Sequence, residues 1–128
     1  MGEGVREMKI LLADDEPDVQ QVLVRRLRAV GYQVVTASDG EEALRVAGLE
    51  HPDVILLDIM LPKKNGNVVA AELLEKKETA NIPVIFITCL VNTNEARVMN
   101  YVSGNNRIMG KPINSADLIG LIESSRRG

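Results

Sequence analysis

Short apolar runs alternate along the chain with longer stretches in which apolar residues recur every three or four positions. The short runs are typical of strands buried on both faces, and the longer spacing is typical of amphipathic helices. The runs predict strands over 9–13, 33–37, 54–57, 84–87 and 107–109. Helices are predicted over 17–30, from Ser38 or Asp39 to just before Pro52, over 68–77, over about 94–102, and after Asn114 or Ser115. Five alternations favour a doubly wound α/β domain, with a five-stranded parallel sheet and five helices on its two faces.

A chain of 128 residues with this alternation is predicted to form one domain with a full core. Residues 1–7 are too polar for a signal peptide and are predicted to be a flexible lead. The domain itself is predicted over 8–125, and 126–128 form a short tail.

Composition and charge exclude several classes of function. The net charge of −3 gives no electrostatic footprint for direct nucleic-acid binding. No apolar run is long enough to span a membrane. Cys89 is the single cysteine, so no internal disulfide can form, which fits a reducing, cytoplasmic location.

Polar residues that can carry chemistry follow four of the five predicted strands. Asp14 and Asp15 follow the first strand, Asp58 the third, Thr88 the fourth and Lys111 the fifth. Each could be an ordinary polar strand end, and an acidic pair after a strand can simply favour the start of a helix. Because the carboxyl ends of parallel strands share one edge, however, all five residues can converge, and ligands bind at that edge in open α/β sheets.

The converging residue types point to phosphoryl chemistry. Three adjacent carboxylates repel one another unless a cation neutralises them, and hard oxygen ligands suit Mg²⁺. A lysine and a threonine hydroxyl add a positive charge and a hydrogen-bond donor for a group with several negative oxygens. A phosphoryl group fits this description, with Asp58 as the carboxylate nucleophile.

The same residues carry a resemblance to a known family. Asp14-Asp15, the run from Asp58 to Pro62 with Gly66, Thr88, and Lys111-Pro112 resemble the motifs of the receiver domain of bacterial two-component response regulators. The resemblance covers about residues 8–125 and implies a flavodoxin-like fold of the receiver type. It also implies that a partner histidine kinase or phosphotransfer protein phosphorylates Asp58. Surface changes would then regulate an effector domain or target protein, without turnover of a small-molecule substrate.

The resemblance assigns roles to the residues around the acceptor. It implies that Asp15 coordinates Mg²⁺ directly and that Asp14 helps through water. The main-chain carbonyl of Met60 is implied as a further metal ligand beside the acceptor itself. Thr88 and Lys111 are implied to hold phosphoryl oxygens.

Three positions either differ from the family's usual residue or bear on the rate at which the phosphoryl group is lost. Ile108 stands where the family usually has a Tyr or Phe that moves with the threonine, so an aliphatic residue replaces the usual switch side chain. Met60 and Leu90 are apolar where the family's hydrolytic water passes, which predicts slow self-dephosphorylation. Ile108 and the unusual segment 103–107 favour an alternative function, a phosphorylation-independent receiver-like interaction module, whereas the intact acidic residues and Lys111 disfavour it. The oligomeric state is left open.

Overall fold

The strand–helix alternation predicted from the sequence is present in a computed structural model, which describes residues 8–88, 107–110 and 113–126. The strands are β1 (Lys9–Ala13), β2 (Gln33–Ala37), β3 (Val54–Asp58), β4 (Val84–Thr88) and β5 (Arg107–Gly110). The helices are α1 (Pro17–Val30), α2 (Gly40–Glu50), α3 (Gly66–Leu74) and α4 (Ser115–Arg126). The helix predicted over about 94–102 lies outside the described residues.

All five strands form one parallel sheet in the order β2-β1-β3-β4-β5. The predicted doubly wound α/β fold is therefore confirmed. The chain first moves outward from β1 to β2 and then returns to the other side of β1 with β3. This reversal makes the carboxyl ends of β1 and β3 the switch point of the sheet, where ligands bind in folds of this kind.

Each face of the sheet is covered by helices. On one face, alternate strand residues such as Leu11 and Phe86 pack with α2 and α3. On the other face, residues such as Ile10 and Ile85 pack with α1 and α4. Burying one such side chain contributes about 1.5–3 kcal/mol, so these two layers hold the strand ends in place.

Most of the predicted helix ends agree with the structure. Pro17 begins α1, and Gly31 ends it in the left-handed conformation (φ 113°). Asp39 caps α2, its side chain accepting a hydrogen bond from the N–H of Glu42. At the start of α4, the Asn114 side chain accepts from the N–H of Asp117 at 3.0 Å.

Helix α3 differs from its predicted range of 68–77. It begins at Gly66 because Asn65 caps it, with Oδ1 accepting from the N–H of Val68. It ends at Leu74 because the buried Thr79 folds back, its hydroxyl donating to the carbonyl of Leu73 at 2.6 Å. The apolar spacing predicts that Leu73 and Leu74 both point inward, which is confirmed for Leu73 but wrong for Leu74, whose side chain is exposed.

No helix in the described part of the chain is both long and apolar enough to cross a lipid bilayer.

Candidate functional site

The sheet order places the predicted site residues on neighbouring strands. Asp14 directly follows β1, Asp58 is the last residue of β3, and Thr88 is the last residue of β4. These three strands lie side by side in the sheet. β5 lies next to β4 and ends at Gly110. Lys111 and Pro112 follow it but lie outside the described residues.

Asp14 is fixed through both its main chain and its side chain. It is fully buried. Its N–H donates to the carbonyl of Ala37 at 3.0 Å, which ties it to the end of β2. Its Oδ1 accepts from the N–H of Glu16 at 2.8 Å, forming a tight turn before α1. The Asp14 carboxylate therefore sits at a defined place beside the switch point of the sheet.

Asp58 is also buried but faces the loop that leaves β3. Its Oδ1 accepts from the N–H of Met60 at 3.0 Å. The next residue, Ile59, donates its N–H to the carbonyl of Ile87 in β4 at 3.3 Å, which continues the ladder past the strand end. Met60 itself is 67% exposed, so the residue whose N–H binds the carboxylate presents an apolar side chain to solvent.

Carboxylates from three residues form a compact group at this edge. Oxygens of Asp14, Glu16 and Asp58 all lie within 4.8 Å of one another. The sequence reasoning missed Glu16, although its spacing, two residues after a strand-end aspartate, was a usable signal. Asp15 is exposed and lies outside this group. Its assignment as a direct metal ligand stays a prediction.

The loop between β3 and α3 is held by the start of α2. The carbonyl of Pro62 accepts from the N–H of Gly40 at 3.1 Å and from the N–H of Lys64 at 2.7 Å. Lys64 also pairs with Glu72 of α3 at 2.7 Å. These bonds fasten the loop at both sides, so the segment after Asp58 has a fixed path.

An ion pair also joins the β3–α3 loop to the start of α2. Nζ of Lys63 lies 3.6 Å from a carboxylate oxygen of Asp39. The hydrogen bond from the Glu42 N–H, and secondarily the charge of Lys63, hold the pKa of Asp39 below its ordinary value. Asp39 therefore stays ionised at the start of α2, where the helix dipole favours a negative charge.

Thr88 and Ile108 occupy the two strands on the far side of Asp58. Thr88 is buried at the end of β4, opposite Gly110 in the β4–β5 register. Ile108 lies opposite Phe86 in the same register and packs on the α2–α3 face of the core. Ile108, which stands where the family usually has a Tyr or Phe, is therefore a partly buried aliphatic residue packed against this face of the core.

The donor set suits a hard cation. Carboxylate oxygens are preferred ligands of Mg²⁺, and the exposed position of Glu16 leaves room for the waters that Mg²⁺ retains. An ion here would also offset the repulsion among the three carboxylates. The arrangement combines a cation-binding group with a buried aspartate at the switch point of the sheet.

The fold and this acidic edge define a doubly wound α/β domain with a site at the carboxyl ends of its strands. The family model described as "Response regulator receiver domain" matches residues 10–123, and the chain belongs to this family of two-component signalling domains.

Relatives among characterised proteins are longer than this chain. It is 38% identical over 123 residues to "Probable transcriptional regulator ycf27" of Cyanophora paradoxa, covering 96% of the chain and 50% of the relative. It is 46% identical over 80 residues to the alkaline phosphatase synthesis transcriptional regulatory protein PhoP of Bacillus subtilis, covering 62% of the chain and 32% of PhoP. The chain thus spans about half the length, or less, of these two relatives.

Among solved structures, the chain resembles the receiver domain of sensor histidine kinase PA1611 from Pseudomonas aeruginosa PAO1. The TM-score is 0.87 and the identity 27%, over 96% of this chain and 100% of that one. That receiver domain was solved with a magnesium ion coordinated in its active-site cleft.

Proposed function

We propose that this domain is a cytoplasmic phosphoacceptor switch in which Asp58 takes a phosphoryl group from a phosphohistidine. Its family membership and the position of Asp58 at the switch point of the sheet support this proposal. The donor would be a histidine kinase or a phosphotransfer protein. Receiver domains of this family are usually switches of this kind rather than turnover enzymes.

In the transfer step, a carboxylate oxygen of Asp58 attacks the phosphorus of the phosphohistidine. A P–O bond forms, the P–N bond breaks, and the departing imidazole nitrogen keeps the electron pair and takes a proton. The hydrogen bond from the Met60 N–H to Oδ1 orients the carboxylate for attack. Burial of Asp58 limits the access of water to the reacting carboxylate.

Mg²⁺ bound at this edge would neutralise charge on the phosphoryl oxygens. Asp14 and Asp58 would hold it, with Glu16 supplying the third nearby carboxylate. By resemblance to the family, the main-chain carbonyl of Met60 would supply a further oxygen. Asp15 stays a candidate ligand by resemblance to the family. Thr88 and Lys111 would bind the oxygens of the transferred group.

The observation that carries the proposal is the buried Asp58 carboxylate within 4.8 Å of two other carboxylates. A group of like charges at the edge of a core is unfavourable unless it is matched by positive charge. A cation together with a transferable anionic group supplies a reason for that arrangement.

The output of the switch is part of the same proposal. The chain covers about half of the ycf27 relatives, which are transcriptional regulators by name. We therefore propose that the phosphorylated domain acts on an effector domain or a separate target protein. The new charge at Asp58 would favour one of two surface conformations.

The test is the intact mass of the protein after incubation with acetyl phosphate, with and without Mg²⁺. Wild type should gain one phosphate only when Mg²⁺ is present, and Asp58→Asn should gain none. Asp53→Asn is the matched control, because Asp53 lies at the opposite end of β3, and this variant should still be labelled. A wild type that takes no phosphate under conditions that label another receiver domain would instead indicate a constitutive interaction module.

A further inference from the structure

One side chain of α1 contacts the main chain at the ends of β1 and β2, beside the acidic edge. Gln20 lies in the first turns of α1 and is half-buried. Its Nε2 donates to the carbonyl of Asp14 at 2.9 Å and to the carbonyl of Ala37 at 3.2 Å. Both hydrogens of the amide group are therefore used on main-chain oxygens next to the site.

The two carbonyls belong to neighbouring strand ends. Ala37 is the last residue of β2, and its carbonyl also accepts from the N–H of Asp14 at 3.0 Å. Gln20 thus completes a closed set of hydrogen bonds in which both the N–H and the carbonyl of Asp14 are engaged. The Asp14 side chain is fixed separately by the N–H of Glu16.

We propose that Gln20 is a positioning residue for the acidic site, acting through the main chain of Asp14. The carbonyl it binds belongs to the peptide group that joins Asp14 to Asp15. Because the peptide group is planar, holding this carbonyl also holds the orientation of the whole peptide plane. The directions in which the side chains of Asp14 and Asp15 leave the main chain are then fixed as well. Gln20 itself donates to main-chain oxygens and does not supply a metal ligand.

The proposal rests on the proposed function, because its effect appears as a change in Mg²⁺ affinity. Groups that orient metal ligands from outside the coordination sphere typically change affinity by about 10- to 100-fold when they are removed. The Gln20 amide, which binds the carbonyls of Asp14 and Ala37 beside the carboxylates, is a group of that kind. We therefore expect Mg²⁺ to bind about tenfold more weakly when the amide is lost.

The decisive variant is Gln20→Met, which keeps the length of the side chain but has no N–H groups. Gln21→Met is the matched control, because Gln21 is the next residue on α1 and its side chain is exposed. Mg²⁺ binding to the full chain would be measured by calorimetric titration. Thermal unfolding without Mg²⁺ would be measured on the same samples, at temperatures where every variant is folded.

Gln20→Glu gives a test of sign. An added negative charge near the site would by itself attract Mg²⁺ and strengthen binding. A carboxylate cannot donate to the carbonyls of Asp14 and Ala37, so loss of positioning would weaken binding instead. The added charge and the lost positioning therefore predict opposite changes in the Mg²⁺ affinity of Gln20→Glu. This test remains valid even if Gln20→Met does not fold.

Weaker Mg²⁺ binding in both Gln20 variants, with Gln21→Met equal to wild type, would support the proposal. Unchanged affinity with a lower melting temperature would overturn it, since Gln20 would then only fasten α1 to the sheet. Tighter binding by Gln20→Glu would also overturn it. If wild type itself bound no Mg²⁺, both this inference and the metal part of the proposed function would fail, a result distinct from the preceding two.

Discussion

A β-carbon on Gly66 would lie 2.6 Å from the main-chain oxygen of Asp58. The first residue of α3 thus touches the backbone of the proposed acceptor, and its N–H donates to the carbonyl of Ile59 at 2.8 Å. Real β-carbons do not approach backbone oxygens this closely, so a side chain at this position must move one of the two segments. The start of α3 and the position of the Asp58 carboxylate are therefore linked through this contact.

Gly66→Ala should lower both stability and the rate of phosphorylation by acetyl phosphate. The added methyl group must displace either the Asp58 backbone or the start of α3, and overpacking of this kind costs typically about 1–3 kcal/mol. Denaturant unfolding and the rate of phosphate incorporation would measure the two effects. Gly48→Ala in α2 is the control, because its β-carbon would meet no atom within 4 Å. It should raise stability by about 0.5–1 kcal/mol and leave the rate unchanged.

The sequence was sufficient to predict the strands and the places of Asp14, Asp58 and Thr88 at the carboxyl ends of three of them. Each strand is an apolar run bounded by polar residues, and parallel strands bring their carboxyl ends to one edge whatever the details of packing. Asp14, Asp58 and Thr88 therefore occupied their predicted places at the strand ends once the sheet formed.

Features that depend on contacts across the fold are not set by the pattern of apolar positions alone. The end of α3 is set by a hydrogen bond from Thr79, a side chain beyond the helix itself. Glu16 joins the acidic group because the turn at Asp14 directs it toward Asp58, a strand far away in sequence. Neither relationship follows from hydrophobic periodicity, which reports only which face of an element is buried.

Glu16→Gln should weaken Mg²⁺ binding and raise stability in the absence of Mg²⁺. Removing one charge at about 5 Å from a divalent ion costs about 1–2 kcal/mol even in water-like surroundings, or roughly tenfold in affinity. Without the ion, the same change relieves repulsion with Asp14 and Asp58. Mg²⁺ titration and melting temperatures would measure both effects. Glu41→Gln, in the first turn of α2, should change neither by a comparable amount, and equal effects in the two variants would contradict a special role for Glu16.

The ionisation of Asp39 should contribute to the acid sensitivity of the fold. Its pKa in the folded chain lies below the ordinary 3.8, chiefly because of the Glu42 N–H. A lowered pKa gives stability that is present above the ordinary pKa and is lost as pH falls through the folded pKa. The difference in unfolding free energy between wild type and Asp39→Asn should therefore be constant near neutral pH and shrink below about pH 4.

Denaturant unfolding at several pH values would measure that difference. Lys63→Met separates the two favourable causes, since it removes the charge that faces Asp39 but leaves the Glu42 hydrogen bond. Most of the pH dependence should persist in the Lys63→Met background. Its disappearance would show that the lysine, rather than the backbone bond, sets the pKa of Asp39.

Arg28→Ala should increase self-association of the chain. β2 is the terminal strand of the sheet, and it carries no proline or charged residue. Exposed edges of this kind promote pairing between chains. The main-chain N–H and carbonyl of Val34 point away from β1, toward the open edge of the sheet. The carbonyl accepts from Nη2 of Arg28 at 3.2 Å, so the Arg28 side chain covers part of that edge.

Light scattering at increasing protein concentration would compare Arg28→Ala with Arg25→Ala. Arg25 lies on the same helix, is exposed and carries the same charge, so the two variants differ mainly in the contact with β2. Equal scattering by both variants would attribute any effect to net charge alone.

Met60 should make the phosphorylated form long-lived. Its N–H binds the Asp58 carboxylate, its side chain is exposed, and a thioether has no N–H or O–H to hold a water that approaches the phosphoryl group. We expect the phosphorylated wild type to last for hours rather than seconds. Its decay would be measured by intact mass at intervals after removal of the phosphodonor. Met60→Gln supplies a polar group there and should speed phosphate loss by roughly tenfold, a small share of what a well-placed polar catalyst contributes.

Met60→Leu is the matched control for this lifetime. It keeps an apolar side chain of similar size and the main-chain N–H that binds Asp58, so the phosphate should be lost as slowly as in wild type. Faster loss in both variants would assign the effect to a disturbed loop rather than to side-chain polarity. A wild-type lifetime below a minute without a phosphatase would contradict the prediction, because the exposed thioether would then give no protection from water.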